Sequence, residues 1–286
     1  MACTLQSLML PVRGDGKGDN VFAHAAALAK RFGAHVQVIH CRPKPEDLMP
    51  YGVVVPRFFR KQLEEVSNQV AAGQEQQLRD EFHELSQKLG LTEDDPKADT
   101  PTASFLEYTG KQADAVKHYG RLSDLILVPQ PDRSTNLGFN TLKSALFTSA
   151  RPVMMCPETD QVSDELGRHI AIGWNGSLEA TRALAQGMGL IEAASEVTIL
   201  TTGSEPHATT AEELQTYLGI RGVTASINRF KRDGNIGRNL LQHATSAGAD
   251  VLLMGAYHES YERETIFGGN TQAVVDEATI PVVLVH

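Results

Sequence analysis

The sequence predicts an α/β fold: two tandem units, each an open five-stranded parallel sheet in the order 3-2-1-4-5, flanked by helices. Three observations predict it. Short apolar runs alternate with stretches of helical period, which is the pattern of β-α-β crossovers and not of a sandwich or a bundle. The run of elements in the second half recurs in the first. At 286 residues the chain is also long enough for about two domains of ordinary size. Each unit is therefore expected to be Rossmann-like, a buried parallel sheet made by right-handed crossovers.

In the first half the expected strands are "SLMLPV", "HVQVIHC", "ASFLEY", "DLILVPQ" and "PVMMC". The glycine-rich "RGDGKGDN" after the first strand fails the Walker A spacing, because Gly18 and not Ser or Thr follows Lys17. It also fails the dinucleotide template, whose sixth place from Gly14 is Asp19. It reads as a strand-to-helix turn. From Arg42 to Leu91 the half departs from its counterpart, with an irregular Pro-rich excursion and then a long helix. The helix carries two apolar stripes, Phe59, Leu63, Val66 and Val70, then Leu78, Phe82, Leu85 and Leu89.

The second half repeats the order with "HIAIGW", "EVTILTT", "VTASINRF", "DVLLMGA" and "PVVLV". Four helices fit between them. The first is capped by Asn175 or Ser177 and carries Leu178, Leu184, Met188 and Ile191 on one face. "SDLILVPQ" matches "ADVLLMGA" in pattern, and "ARPVMMCP" matches "TIPVVLVH", with a Pro opening the last strand of each half, where no interior ladder bond is lost. The domains are expected at 1–158 and 166–286, divided within the polar stretch Pro157–Arg168.

Composition narrows the function classes. With 41% hydrophobic and 21% charged residues the chain reads as globular, and no apolar stretch approaches the roughly 18 residues that span a bilayer. A membrane role is set aside. The first residues lack a basic segment followed by an apolar core, so no signal peptide is expected and the cytoplasm is the expected location. Cys3, Cys41 and Cys156 form no C-x-x-C pair, against both a zinc knuckle and a disulfide framework. A net charge of -9 opposes a nucleic-acid partner. The ten histidines form no metal-binding motif, Ser177 is not in a G-x-S-x-G elbow, and Asp94 and Asp95 read as solvated charge.

The chemistry is expected in "GAYHESYERETIFGGNT", Gly255 to Thr271. Ligands of open parallel sheets sit beyond the carboxyl ends of the strands, where the strand order reverses. In the order 3-2-1-4-5, strands one and four flank that crevice, so "WNGS", with Trp174, Asn175 and Ser177, faces "GAYH", with Gly255 and His258, across it; Gly173, Met254 and Thr202 are expected in the same ligand site. Gly255 would let a ligand approach the backbone. Gly268, Gly269, Asn270 and Thr271 open the last helix and offer N–H groups to an anion.

These residues resemble the universal stress protein family, and the chain resembles two of its domains fused in tandem. The signals are "IAIGWNGSLEATRAL" and "ADVLLMGAYHESYERETIFGGNTQAVVDEATIPVVLVH". The family's ATP signature is G-x2-G-x9-G followed by Ser or Thr, and Gly255 and Gly268 keep its first and third glycines. His258 takes the second glycine position, Gly269 that of the hydroxyl, and Asn175 that of an Asp usual in binding members. Thr271 lies two residues late for that hydroxyl. The first half has drifted further, with Arg13 at the Asp position, Pro129 where Gly255 sits and Phe139 near the place of Gly268, so it is expected to bind no nucleotide in this way. The resemblance implies a stress-response protein whose second domain binds ATP or another adenine nucleotide, with or without a divalent metal ion, as a non-catalytic signal. The alternatives are a nucleotide-independent interaction protein on the same fold and a weak ATP-hydrolysing enzyme. The halves are expected to pack as an intrachain pseudo-dimer through "PVMMC" and "PVVLV"; a homodimer is left open, and no protein partner is named.

Overall fold

The structure, a computed structural model, describes residues 5–12, 18–42, 75–135, 137–203, 209–256 and 269–286. In the first half β1 (Ser7–Val12), α1 (Gly18–Phe32) and β2 (His35–Arg42) are followed by helix α2 over residues 75–89. Then come β3 (Thr92–Glu93), β4 (Thr102–Thr109), α3 (Gln112–Tyr119), β5 (Leu125–Pro129), α4 (Phe139–Thr148) and β6 (Val153–Cys156). The second half runs β7 (His169–Gly173), α5 (Leu178–Gln186), α6 (Met188–Ala193), β8 (Glu196–Thr201), α7 (Ala211–Ile220) and β9 (Ala225–Arg229). It ends with α8 (Ile236–Ser246), β10 (Val251–Gly255), α9 (Gly269–Glu277) and β11 (Val282–Val285).

Where two separate sheets are expected, there is one. Eleven strands run in the order β3-β4-β2-β1-β5-β6-β11-β10-β7-β8-β9. All pairings are parallel except the central one, where β6 and β11 lie antiparallel with Met154 opposite Val283. Every residue of both seam strands is buried. Neither strand is a free edge, so neither carries the charges that protect one.

The two faces of the sheet are separate cores, as the two-residue side-chain period of a strand requires. Leu8, Leu10, Ile170, Ile172 and Leu253 face α1, α2, α5, α6 and α7. Met9, Ala171, Leu252 and Met254 face α3, α4, α8 and α9. The stripe Leu78, Phe82, Leu85 and Leu89 faces inward as expected, with the Phe82 ring 5.7 Å from Phe22 and 5.6 Å from Phe105. Its upstream continuation, Phe59 to Val70, lies outside the described residues.

The helix after β7 differs from expectation. It breaks at Gly187, where a Cβ would stand 2.6 Å from a Leu253 methyl, and Leu178 is exposed while Leu184, Met188 and Ile191 are buried. The six residues from 178 to 184 rotate the helix by about 240°, which takes Leu178 off the buried face.

The parallel between the halves extends to single hydrogen bonds. Ile126 N–H donates to the Pro152 carbonyl at 3.1 Å, and Leu252 N–H to the Pro281 carbonyl at 3.0 Å. Each proline thus stands just ahead of its strand yet still accepts a ladder bond. Asp124 accepts from the N–H groups of Gln6 and Ser7, and Asp250 from those of Gly167, Arg168 and His169. Asp124 therefore ties the start of β5 to the start of β1, and Asp250 ties the start of β10 to the start of β7.

The connection between the halves is docked along α1. Asn20 donates to the Pro157 carbonyl, Lys30 pairs with Asp164, and Arg31 donates to the carbonyls of Leu166 and Ala193. Leu166 is buried. The Cys156 thiol is buried as well, and burial pushes it above the ordinary thiol range.

Two histidines are held in the first-half core. His24 meets the Asn20 carbonyl at 2.7 Å, and His35 meets the hydroxyls of Thr102 and Ser104. Burial lowers both below the ordinary 6.5, outweighing the Asn20 carbonyl at His24 and the Asp95 charge at His35. Below pH 6.5 the unfolded chain takes up these protons more readily than the folded one, so their contribution is complete above 6.5 and is lost as pH falls. We expect the urea midpoint to drop between pH 7 and pH 5, and His35→Gln to flatten that drop. An unchanged slope in the variant would remove His35 from the account.

Candidate functional site at the carboxyl ends of β7 and β10

The register of β10 on β7 pairs Leu253 with Ile172, so Met254 and Gly255 run alongside Gly173 and the chain leaving β7. That chain turns tightly. Gly176 has φ +71°, a left-handed conformation suited to glycine, and the Asn175 side-chain oxygen accepts from the Ser177 N–H at 3.1 Å. Ser177 then caps α5 by accepting from Ala180 N–H at 3.2 Å, which answers which of Asn175 and Ser177 is the cap. Asn175 is exposed and Ser177 is buried.

Three of the expected site residues are occupied with packing. Trp174 is buried, and its indole N–H donates to the Thr209 carbonyl at 3.1 Å. Met254 is buried on the α8 face, and a Cβ at Gly173 would meet Leu240 at 3.3 Å. Gly255 is closely packed as well. A Cβ there would stand 2.5 Å from the carbonyl carbon of Glu179 and 2.7 Å from its oxygen. The first turn of α5 thus takes up the space that a side chain at 255 would need, and this close approach of helix to strand requires glycine. Thr202 is partly buried just past β8.

The start of α9 lies beside the start of α8. Gly269 and Asn270 are exposed and Thr271 is buried, and the first-turn N–H groups of a helix have no partner within it. Among the described residues nothing stands within 4 Å of a Cβ built on Gly269. The start of α8 holds this turn in place: Asn235 caps α8 at Arg238 N–H and donates to the Gly269 carbonyl at 2.9 Å. The missing side chain of Gly237 makes room for the Asn270 carbonyl. His258 and Gly268 lie outside the described residues.

Asp250 was not singled out from sequence, although Asp124 and Asp250 align in the repeated segments and that identity was the available signal. Burial pushes its carboxyl up, against the opposing effect of its three N–H donors and the Arg31 charge. Among the described residues no group of His, Cys, Asp and Glu is arranged to hold a metal ion, and no helix is long and apolar enough to cross a membrane.

An α/β sheet with helices on both faces and a reversal of strand order at β7 and β10 defines the class of protein. Residues 167–286 match the universal stress protein family and form a domain of that family. The chain also resembles the crystal structure of a universal stress protein from Archaeoglobus fulgidus DSM 4304, at 14% identity over 97% of both chains with a TM-score of 0.66. A putative universal stress protein from Pseudomonas aeruginosa UCBPP-PA14 matches at 14% identity over 98% of this chain and 93% of that one, with a TM-score of 0.54. A functionally unknown protein from Pseudomonas aeruginosa PAO1 matches at 14% identity over 98% and 92%, with a TM-score of 0.52. These likenesses span both halves and concern the fold. No curated protein matches the sequence.

Proposed function

We propose that the chain is a tandem universal stress protein of the cytoplasm. Residues 1–158 form a degenerate unit and 166–286 a second unit that binds ATP or a related adenine nucleotide as a non-catalytic signal. One observation carries this reading: the carboxyl ends of β7 and β10 lie side by side at the reversal of strand order, the place where such sheets take their ligands. The exposed first turn of α9 supplies N–H groups suited to phosphate. In the first half the corresponding strand ends in Pro129, which has no N–H to give.

A second reading, a nucleotide-independent interaction protein, is favoured by the filled space above Gly255 and by the engagement of Asn175 and Ser177 in their own turn. The two readings separate on one measurement. Protein purified without added nucleotide is denatured and its small molecules analysed, and ATP is titrated in a thermal melt. Nucleotide binding stabilises the fold by about 2.7 kcal/mol at a hundredfold excess over Kd. We expect ATP to raise Tm and His258→Gly to bind it equally well or more tightly, since glycine relieves both bulk and φ restriction at that place. Absence of bound nucleotide together with an unmoved Tm rejects the nucleotide reading, and weaker binding by the variant makes the imidazole itself a ligand.

A further inference from the structure

The last helix of the chain is a weak helix by composition. α9 reads "GNTQAVVDE", in which glycine, asparagine and the β-branched Thr271, Val274 and Val275 all rank low as helix formers. Its acids stand at the unfavourable end, since Asp276 and Glu277 close a helix whose carboxyl end already carries partial negative charge. Its order must come from tertiary contacts.

Two arginines answer those acids from different elements. Arg238 of α8 pairs with Glu277, its Nε 2.9 Å from both carboxylate oxygens. Arg133 belongs to the first half; its Nε donates to one oxygen of Asp276 at 2.6 Å while a second guanidinium nitrogen meets the other. A two-point pair of this kind fixes direction as well as distance. Beside it, Gln130 donates its Nε2 to the Val275 carbonyl at 2.9 Å, one of the four closing carbonyls that have no partner within a helix. The first half thus caps α9 with both an amide and a cation.

Arg133 and Gln130 lie on the turn from β5 to α4, the first-half counterpart of the stretch from β10 to α9, since β5 pairs with β1 as β10 pairs with β7. The turn is braced. Asp132 N–H donates to the Leu137 carbonyl at 3.0 Å, and the Asp132 Oδ1 accepts from the Ser134 N–H and hydroxyl at 2.8 and 2.7 Å. Counted back from Pro152 and Pro281, Asp276 and Glu277 correspond to Phe147 and Thr148, which offer no carboxylate. The clamp is therefore one-sided.

We propose that the first half sets the readiness of the second half's site through this clamp: Arg133 and Gln130 order α9 from its carboxyl end and so hold its opening turn, Gly269 to Thr271, in place for a ligand. What that turn receives rests on the nucleotide reading, whereas the ordering of α9 does not. The two ends stand about 10 Å apart on one short helix, and a helix ordered in advance spares an arriving ligand the cost of ordering it. Linkage makes the effect mutual, so nucleotide on the second half tightens a turn of the first.

The test is hydrogen exchange of the full-length protein with and without ATP, with ATP affinity measured on the same samples. In nucleotide-free protein, Arg133→Ala should raise exchange of the α9 amides about tenfold and leave α5 and α7 as they are. Gln130→Leu should act in the same direction, and Arg133→Lys, which keeps the charge, should recover part of the loss. Asp276→Asn should match Arg133→Ala, and the double variant should be no worse than either, because both remove one pair. Arg133→Ala should also weaken ATP binding about fivefold, and saturating ATP should slow exchange of the β5–α4 turn in the parent but not in that variant. Unchanged α9 exchange in both Arg133→Ala and Gln130→Leu overturns the proposal. So does a rise spread evenly over both halves, which would mark general destabilisation, and so does parental ATP affinity in a variant whose α9 has loosened. A parent that binds no ATP rejects the nucleotide reading alone, and the clamp is then decided by the nucleotide-free exchange.

Discussion

Gly255→Ala is expected to lower the stability of the nucleotide-free protein by about 3 kcal/mol, at the upper end of what an overpacked methyl costs. For a chain of this size that is a fall in Tm of roughly 5–10 °C. The added methyl would lie 2.5 Å from the Glu179 carbonyl carbon, and that neighbour is backbone, which has no rotamer to change. The start of α5 is also pinned by the Ser177 cap and by Thr181, whose N–H and hydroxyl both donate to the Ser177 carbonyl. The strain must then move the helix or the strand. A glycine kept only for an approaching ligand would behave otherwise, with alanine leaving the ligand-free urea midpoint unchanged and affecting nucleotide binding alone. Gly269→Ala is the control, because among the described residues nothing stands within 4 Å of its methyl. A Gly255 variant as stable as the parent would return the site to the ligand.

The contrast shows where the sequence was informative. That strand four needs a bare backbone at its exit was legible, because a glycine stands there beside an apolar run. What fills the gap was not, since Glu179 lies 76 residues away in the chain. The parallel crossovers within each half were legible in the alternation, whereas the two-residue strand β3, which gives the first half a sixth strand, was not. The union of β6 with β11 is of another kind. A short strand such as "VMMC", buried on both faces, has the same composition whether its free edge meets solvent, a parallel strand or an antiparallel one. The break at Gly187 was hidden for a related reason, because glycine inside a helical period is compatible with continuation.

Asp250→Ala is the second change with a large expected effect, about 2–4 kcal/mol. The carboxylate accepts from Gly167 N–H at 2.9 Å, Arg168 N–H at 3.0 Å and His169 N–H at 3.1 Å. Its removal leaves donors at the mouth of β7 with no acceptor, each costing about 1–3 kcal/mol where water is excluded. Arg168 is exposed, so water recovers part of that loss and the three costs do not simply add. Arg31, whose guanidinium reaches Leu166 and Ala193 from α1, also loses the opposite charge that favours it there. Asp250→Asn should be nearly as damaging, since the carboxamide sets an NH2 group among N–H donors. The equivalent change in the first half gives an internal standard. Asp124 accepts from two N–H groups, at 2.8 and 2.9 Å, and Gln6 is exposed, so Asp124→Ala should cost about half as much. Urea denaturation of the two variants side by side measures the ratio. An Asp124 loss equal to or greater than the Asp250 loss would mean that neither the third donor nor Arg31 contributes, and that the tie at the mouth of β7 is no stronger than its first-half counterpart.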